Sequence, residues 1–436
     1  MNSKTSSDHR IICVDMKSFY ASCEAVMRGL DPLEAKLVVV GDINRNGSVV
    51  LASSPQMKKI YKIKTGNRLF EVKNIKDPDI IIAQARMGSY LQISQTIKEI
   101  FLNFVPPNSL HTYSVDESWL TLNGTEKLWG DSWETSRLIV AKIKEVTGCI
   151  AAVGIGKNKF QAKFCLDVYG KNLGIAECDY ENFSSMFHHL PVKEMWGIGE
   201  SITIRLNRMN IFTVGELANA NTESIKKEFG IVGIQLQKYA CGIDESPVYY
   251  DEKNPPITAF GFYNECDSNE NIKSVGRGIT LLRNYSEKED ILLVIRELLE
   301  EVCIILRRKK LEGKNIQLSV GYSKTINKKG FSRQFTFKNF YSNDPIELID
   351  KYVELFEKHY IEGAAVRTLR VAIGKLEQEV EEMTFDVTKN KRKALIKALD
   401  KINDKHGKGK IRIASSFSKA SVTKDRLGKI GGHFKS

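Results

Sequence analysis

Asp116 and Glu117 stand side by side in YSVDESWL (Tyr113 to Leu120), between stretches that alternate like buried strands. Most acidic pairs in loops are solvated turn residues, and the octapeptide alone leaves that reading open. The flanks LHTYSV and SWLTL are rich in aromatic, β-branched and threonine residues, which puts both acids at or beside a tight hairpin. A third acid, Asp15, ends the short apolar run RIICVD (Arg10 to Asp15). Three carboxylates on one sheet edge repel one another unless cations neutralise them, and magnesium is the expected cation. Two hard cations about 3.5–4 Å apart are the known arrangement for in-line phosphoryl chemistry. Lys59 and Lys171 are candidate phosphate partners around that centre, although each by itself is an ordinary surface lysine.

For Asp15 to reach the acidic pair, the first strand must lie against the hairpin. Ile93, Ile97, Ile100, Phe101 and Phe104 recur at helical spacing in GSYLQISQTIKEIFLNF. Two strands around Asp116, a helix over DSWETSRLIVAKIKEVTG and a strand CIAAVGI follow. The order β, insertion, α, β, β, α, β is the split pattern of a ferredoxin-like sheet, in which the first strand and the central hairpin are neighbours. The insertion carries KLVVVGD, SVVLASS and a Lys-rich helix QMKKIYKI, and predicts a small α/β subdomain over the acidic end.

Further on, LPVKEMWGIGESITIRLNRMNIFTVGEL sets Gly197 and Gly199 between two helical segments. Such a turn can aim free backbone N–H groups at a phosphate, but on its own it is more often an ordinary tight turn. CGIDESPVYYDEKNPPI holds three prolines and several charges and reads as an interdomain linker. A second βαββαβ order follows, with Arg277, Arg283, Arg333 and Arg367 in or beside its strands, where phosphate contacts compete with a solvated sheet face. The chain reads as an α+β multidomain protein.

A length of 436 residues fits about three domains. Hydrophobic content of 42% and charged content of 27% fit a soluble protein, and no run approaches the roughly 18 apolar residues of a membrane helix. The start MNSKTSSDHR lacks the apolar core of a secretory signal. Eight scattered cysteines form no CxxC pair and no zinc-like spacing, so reduced cytoplasmic thiols are expected. The net charge of +12 is a property of the tail, where residues 389–436 hold 15 Lys and Arg against three Asp. A basic balance favours a polyanionic partner such as nucleic acid.

DMKSFYASCE (Asp15 to Glu24), YSVDESWL and GIGKNKFQAKFCLDVYGKNLG (Gly154 to Gly174) together resemble the three polymerase motifs of Y-family translesion DNA polymerases, with the UmuC and UvrX branch the nearest likeness. The resemblance covers residues 10 to about 376. It implies a ferredoxin-like palm at 1–20 and 87–180, small fingers at 21–86, and a thumb with a helix-hairpin-helix at 181–245. A linker at 246–258, a βαββαβ little finger at 259–376 and a basic tail at 377–436 complete the implied division.

The resemblance makes Asp15, Asp116 and Glu117 the catalytic acids, with the Met16 carbonyl near one of two Mg2+ ions. Tyr20 falls on the steric gate against a ribose 2′-OH, with Phe19 beside it. Ser53, Gln56, Lys59 and Lys171 take triphosphate positions, while Gly197, Gly199 and the four arginines take DNA positions. Lys17 stands where an Asp or Asn is common, and SSPQMKK replaces a more usual threonine and tyrosine arrangement.

The implied activity is error-prone, template-directed addition of dNTPs to a primer 3′-OH past damaged bases, without proofreading, in the cytoplasm. Primer-template DNA and dNTPs are the implied partners. Met383 and Phe385 in QEVEEMTFDV are candidate anchors on a sliding clamp, against the reading of a plain acidic linker. A nucleotidyl cyclase or a non-catalytic DNA-binding scaffold are the rival readings. The tail reads as a solvated extension or as a tether to DNA or a protein.

Overall fold

A computed structural model describes residues 10–248, 272–380 and 386–435. Most of the expected linker, residues 249–258, and the clamp candidates Met383 and Phe385 lie outside the described residues. The chain divides into two compact units, Met1–Cys266 with His433–Ser436, and Asp267–Gly432.

The first unit opens with β1 (Ile11–Met16) and α1 (Phe19–Val26). The insertion follows as β2 (Leu37–Val40), β3 (Val50–Ser53), α2 (Pro55–Tyr61), α3 (Leu69–Lys73) and β4 (Ile81–Gln84). Next come α4 (Met87–Leu102), β5 (Leu110–Thr112), β6 (Glu117–Thr121), α5 (Glu126–Trp129), α6 (Ser132–Thr147) and β7 (Ala151–Gly156). After α7 (Lys159–Cys165) the chain widens into a π-turn at Leu166–Gly170, then α8 (Lys171–Leu173) and β8 (Ile175–Glu177). The unit continues through α9 (Phe183–Phe187), α10 (Glu200–Arg208), α11 (Val214–Ala218), α12 (Thr222–Phe229) and α13 (Ile231–Ala240).

The main sheet has the order β5-β6-β1-β7-β8, and β1 pairs antiparallel with both β6 and β7. This is the expected ferredoxin-like neighbourhood of first strand and hairpin. Ile12, Cys13 and Val14 have no solvent exposure, because a central strand covered on both faces must be apolar on both. The helix α6 is set by its ends: Asp131 accepts from the Glu134 N–H, Glu134 accepts from the Asp131 N–H, and Gly148 closes it at φ 69°. The insertion builds its own three-stranded sheet, β3-β2-β4, over a core that includes Val38, Val40, Met57 and Leu69.

The second unit runs β9 (Ser274–Tyr285), α14 (Lys288–Arg308), β10 (Leu311–Tyr322), β11 (Phe331–Thr336), α15 (Pro345–His359) and β12 (Val366–Gln378). The expected βαββαβ order is present, but the sheet order is β11-β10-β12-β9. The last strand lies between the first and second, and β9 takes an edge, so the palm arrangement is not repeated. Val371 and Ile373 of β12 pack with Ile295, Leu298 and Val302 of α14 in the core, and each such side chain contributes about 1.5–3 kcal/mol by leaving water.

Most of the described tail is folded rather than an irregular extension. It forms α16 (Val387–His406) and α17 (Thr423–Leu427) within the second unit. Arg392 donates to Asp344 at 2.6 Å and to Glu347 at 3.2 Å, and Asp400 accepts from Arg307 at 2.7 Å. Ala420 and Val422 enter the unit's hydrophobic core. No described helix is long and apolar enough to cross a membrane. The seven described cysteines are free thiols.

Candidate active site

The strand register brings the three acids together. Asp15 on β1 lies directly opposite Glu117 on β6, and the Met16 N–H donates to the Asp116 carbonyl at 2.9 Å. Burial raises the Asp15 carboxyl to about 6; Lys171 and Lys163 pull it down, while Asp116 and Glu117 push it up. The edge is therefore crowded with negative charge that the protein's own cations offset only in part.

Those cations form a relay that the sequence reading did not anticipate. Lys163 is buried and donates to Glu117 at 2.8 Å and to Asp167 at 3.0 Å. Lys171 reaches Asp167 at 2.9 Å and Asp15 at 3.5 Å. Burial alone would lower the Lys163 ammonium, but Cys13, Glu117 and Asp167 outweigh it and hold the charge firmly. Lys163, Asp167 and Lys171 recur every four residues, a spacing legible in QAKFCLDVYGKNLG that escaped notice. Asp167, without an expected role, is the bridge between the two lysines.

Three carboxylates and the Met16 backbone carbonyl make an all-oxygen donor set, the kind that suits a hard divalent ion. The burial that raises Asp15, with Asp116 and Glu117 adding to it, leaves a carboxylate that a bound cation would stabilise. Among the described residues no three acidic, thiol or imidazole side chains close on one point as a finished cage. Glu117 instead turns to Lys163, and Asp116 accepts from the Ser114 hydroxyl.

Tyr20 sits on the first turn of α1, with Asp116 near enough to help burial raise its hydroxyl to about 12. Its ring lies 5.7 Å from that of Phe19 and stacks on Tyr90 at 4.7 Å. The Ser53 hydroxyl is buried and has no hydrogen-bond partner among the described residues. Gln56 is spent on Glu34, to which it donates at 2.9 Å.

Lys59 is exposed, as is its neighbour Lys58. The Lys58 ammonium donates to Ser18 at 2.8 Å, and burial and Lys171 lower it while Asp15 raises it. Lys58 thus joins Lys59 as a candidate cation of the insertion.

Gly197 adopts φ 92°, a conformation that favours glycine, and Gly199 caps α10 without any side-chain bond to the first helical amides. The four arginines of the second unit do not form one patch. Arg277 lies 3.8 Å from Glu301 of α14, and Arg283 donates to the Lys419 carbonyl. Arg333 pairs across from buried Leu318, which puts it on the helix-covered face, and Arg367 falls at a register irregularity. The opposite face is polar, with Gln317 beside Gln334 and Ser319 beside Ser332. Arg370, which the sequence reading passed over, stands there between Ser319 and Gly278.

Residues 14–167 match the impB/mucB/samB family, and residues 272–385 match the C-terminal domain of that family. The chain is 38% identical over 428 residues to UvrX of Bacillus subtilis (strain 168), a protein named for UV-damage repair, with 97% of each chain covered. It is 32% identical over 433 residues to DNA polymerase IV 2 of Halalkalibacterium halodurans, covering 98% of this chain and 100% of that one. A solved Y-family DNA polymerase chimera of Dbh and Dpo4 superimposes with a TM-score of 0.64 at 22% identity, covering 85% of this chain and all of that one. With both domains matched, relatives aligned nearly end to end and the acids gathered on the sheet that bears them, the chain belongs to the impB/mucB/samB family and has the fold of a Y-family DNA polymerase.

Proposed function

We propose that this protein is a DNA-directed DNA polymerase that extends a primer 3′-OH with dNTPs past damaged template bases. The observation that carries this reading is the Asp15–Glu117 register, with Asp116 beside it and the Lys163–Asp167–Lys171 relay behind it. Asp15, Asp116, Glu117 and the Met16 carbonyl would hold two magnesium ions. Bound there, such ions supply charge neutralisation for phosphoryl transfer from a triphosphate to a hydroxyl.

The chain's own residues do the rest. Lys171 and Lys58 offer ammonium groups to the triphosphate, and Ser53 offers its unpartnered hydroxyl. The Tyr20 ring excludes a ribose 2′-OH by its bulk, with Phe19 packed beside it. Phosphates of the primer-template meet the amides at Gly197 and Gly199, and the polar sheet face that carries Arg370 lies against the duplex. Arg277, Arg283, Arg333 and Arg367 keep at most peripheral contacts, since two are engaged within their own unit. The protein acts in the cytoplasm.

Primer extension with magnesium tests the reading. Asp116→Ala is expected to lower extension by at least about 100-fold while primer-template binding is retained. Near-parental extension by this variant would remove the acids from the reaction.

A further inference from the structure

Lys98, in the second half of α4, has no part in the chemistry above, yet it lines the same cavity as Met16, Ser114, Asp116 and Glu117. It pairs with neither acid. Glu117 accepts from Lys163, and Asp116 accepts from the Ser114 hydroxyl. The positions one turn away on α4 hold Ser94, Gln95, Phe101 and Leu102, so the helix supplies no carboxylate of its own. Among the described residues the Lys98 ammonium has no hydrogen bond and no ion pair. Burial lowers it from the ordinary lysine value, and no charge is close enough to offset that.

An ammonium drawn partly out of water without a partner is costly unless an anion arrives to meet it. The order of the sheet indicates which anion. The acids stand on β6 and β1, in the middle of β5-β6-β1-β7-β8. Lys171, which reaches Asp15 at 3.5 Å, opens α8 just before β8 at one end of the sheet, and Lys58 lies near enough to feel both Asp15 and Lys171. The helix that carries Lys98 packs against β5 at the other end. The triphosphate cations and Lys98 thus flank the acids from opposite sides. In-line phosphoryl transfer places the attacking and leaving oxygens on opposite sides of the phosphorus. With the triphosphate held beside Asp15, the attacking 3′-OH comes from the Asp116 side, and the nearest fixed anion on its strand is the phosphodiester that joins its last nucleotide.

We propose that Lys98 binds this last phosphodiester of the primer and so positions the 3′-OH for attack. The inference rests on the primer-extension reading above. An ammonium is a compact point charge that suits a single phosphate oxygen. A lysine that only packed against the sheet would not distinguish a charged linkage from a neutral one; this one does.

Single-nucleotide insertion by the full chain tests it on an ordinary primer and on one whose last linkage is an uncharged methylphosphonate. Parental kcat/KM is expected to fall about tenfold on the neutral primer. Lys98→Met keeps the apolar stem and removes the charge, so it is expected to lose about tenfold on the ordinary primer and nothing further on the neutral one. Lys98→Arg is expected to recover most of that loss, and the KM for dNTP stays within about twofold of parental in both variants. Parental insertion by Lys98→Met on the ordinary primer overturns the inference, as does a further loss on the neutral primer equal to the parental one. A raised KM for dNTP with an undiminished response to the linkage also overturns it and moves Lys98 to the triphosphate. If the parental chain extends no primer, the polymerase reading fails and the inference falls with it. Extension by the parental chain that is indifferent to Lys98 rejects the inference alone.

Discussion

Lys58 and Lys59 are adjacent and chemically identical, yet on α2 they differ by about 100° of rotation. Only Lys58 faces Ser18 and feels Asp15 and Lys171. Lys58→Ala is expected to raise the KM for an incoming dNTP by about tenfold, whereas Lys59→Ala stays within about twofold. Steady-state insertion kinetics on the two variants separate them, and equal effects would mean that α2 presents another face to the substrate. The three acids stood out in the sequence because each lies at or beside the end of a strand whose partner the element order supplies. The choice between the two lysines did not, because a run of like residues carries no helical phase. Lys163 was hidden for a different reason: nothing in the sequence marks a lysine as buried until the carboxylates around it are placed.

Ordering the tail against the second unit depends on a few contacts rather than on its lysines. Glu297 of α14 is buried and accepts from the Ser421 hydroxyl and, at 2.9 Å, from the Val422 N–H. Arg426 grips Glu301 through two bonds of 2.8 and 2.7 Å. Ser421→Ala takes one donor from a buried carboxylate and is expected to destabilise the second unit by about 1–3 kcal/mol, measured as a shift in its unfolding midpoint. A change within error would show that the segment only rests on the helix. The basic composition of the tail pointed toward a solvated arm or a tether, since ion pairs to Asp344, Glu347 and Glu301 need partners far off in the chain. The βαββαβ order of the second unit was similarly legible from periodicity, while its strand order was not. Either hairpin arrangement buries the same apolar faces, and only β12 pairing with both β10 and β9 distinguishes them.

Each unit has a hydrophobic core of its own, and that of the second is closed by Ala420 and Val422. A fragment spanning 272–432 is therefore expected to fold alone with one cooperative transition. A fragment spanning 272–388 should melt lower or fail to fold, because Glu297 then lies buried without its partners. Equal melting of the two fragments would reduce the tail to a passenger. In the first unit, β1 is the earliest strand to be synthesised and the middle one in the finished sheet, and both of its neighbours come much later. At ~5–20 residues per second, about 7–28 s pass on the ribosome between the emergence of β1 and that of β7. Until β6 follows, Asp15 stands near the end of an unpaired apolar strand, exposed to nascent-chain binders and to misplaced strand pairing. The catalytic edge is thus a late product of translation, and a chain stalled before residue 151 carries all three acids but lacks β7, the strand that covers the other side of β1.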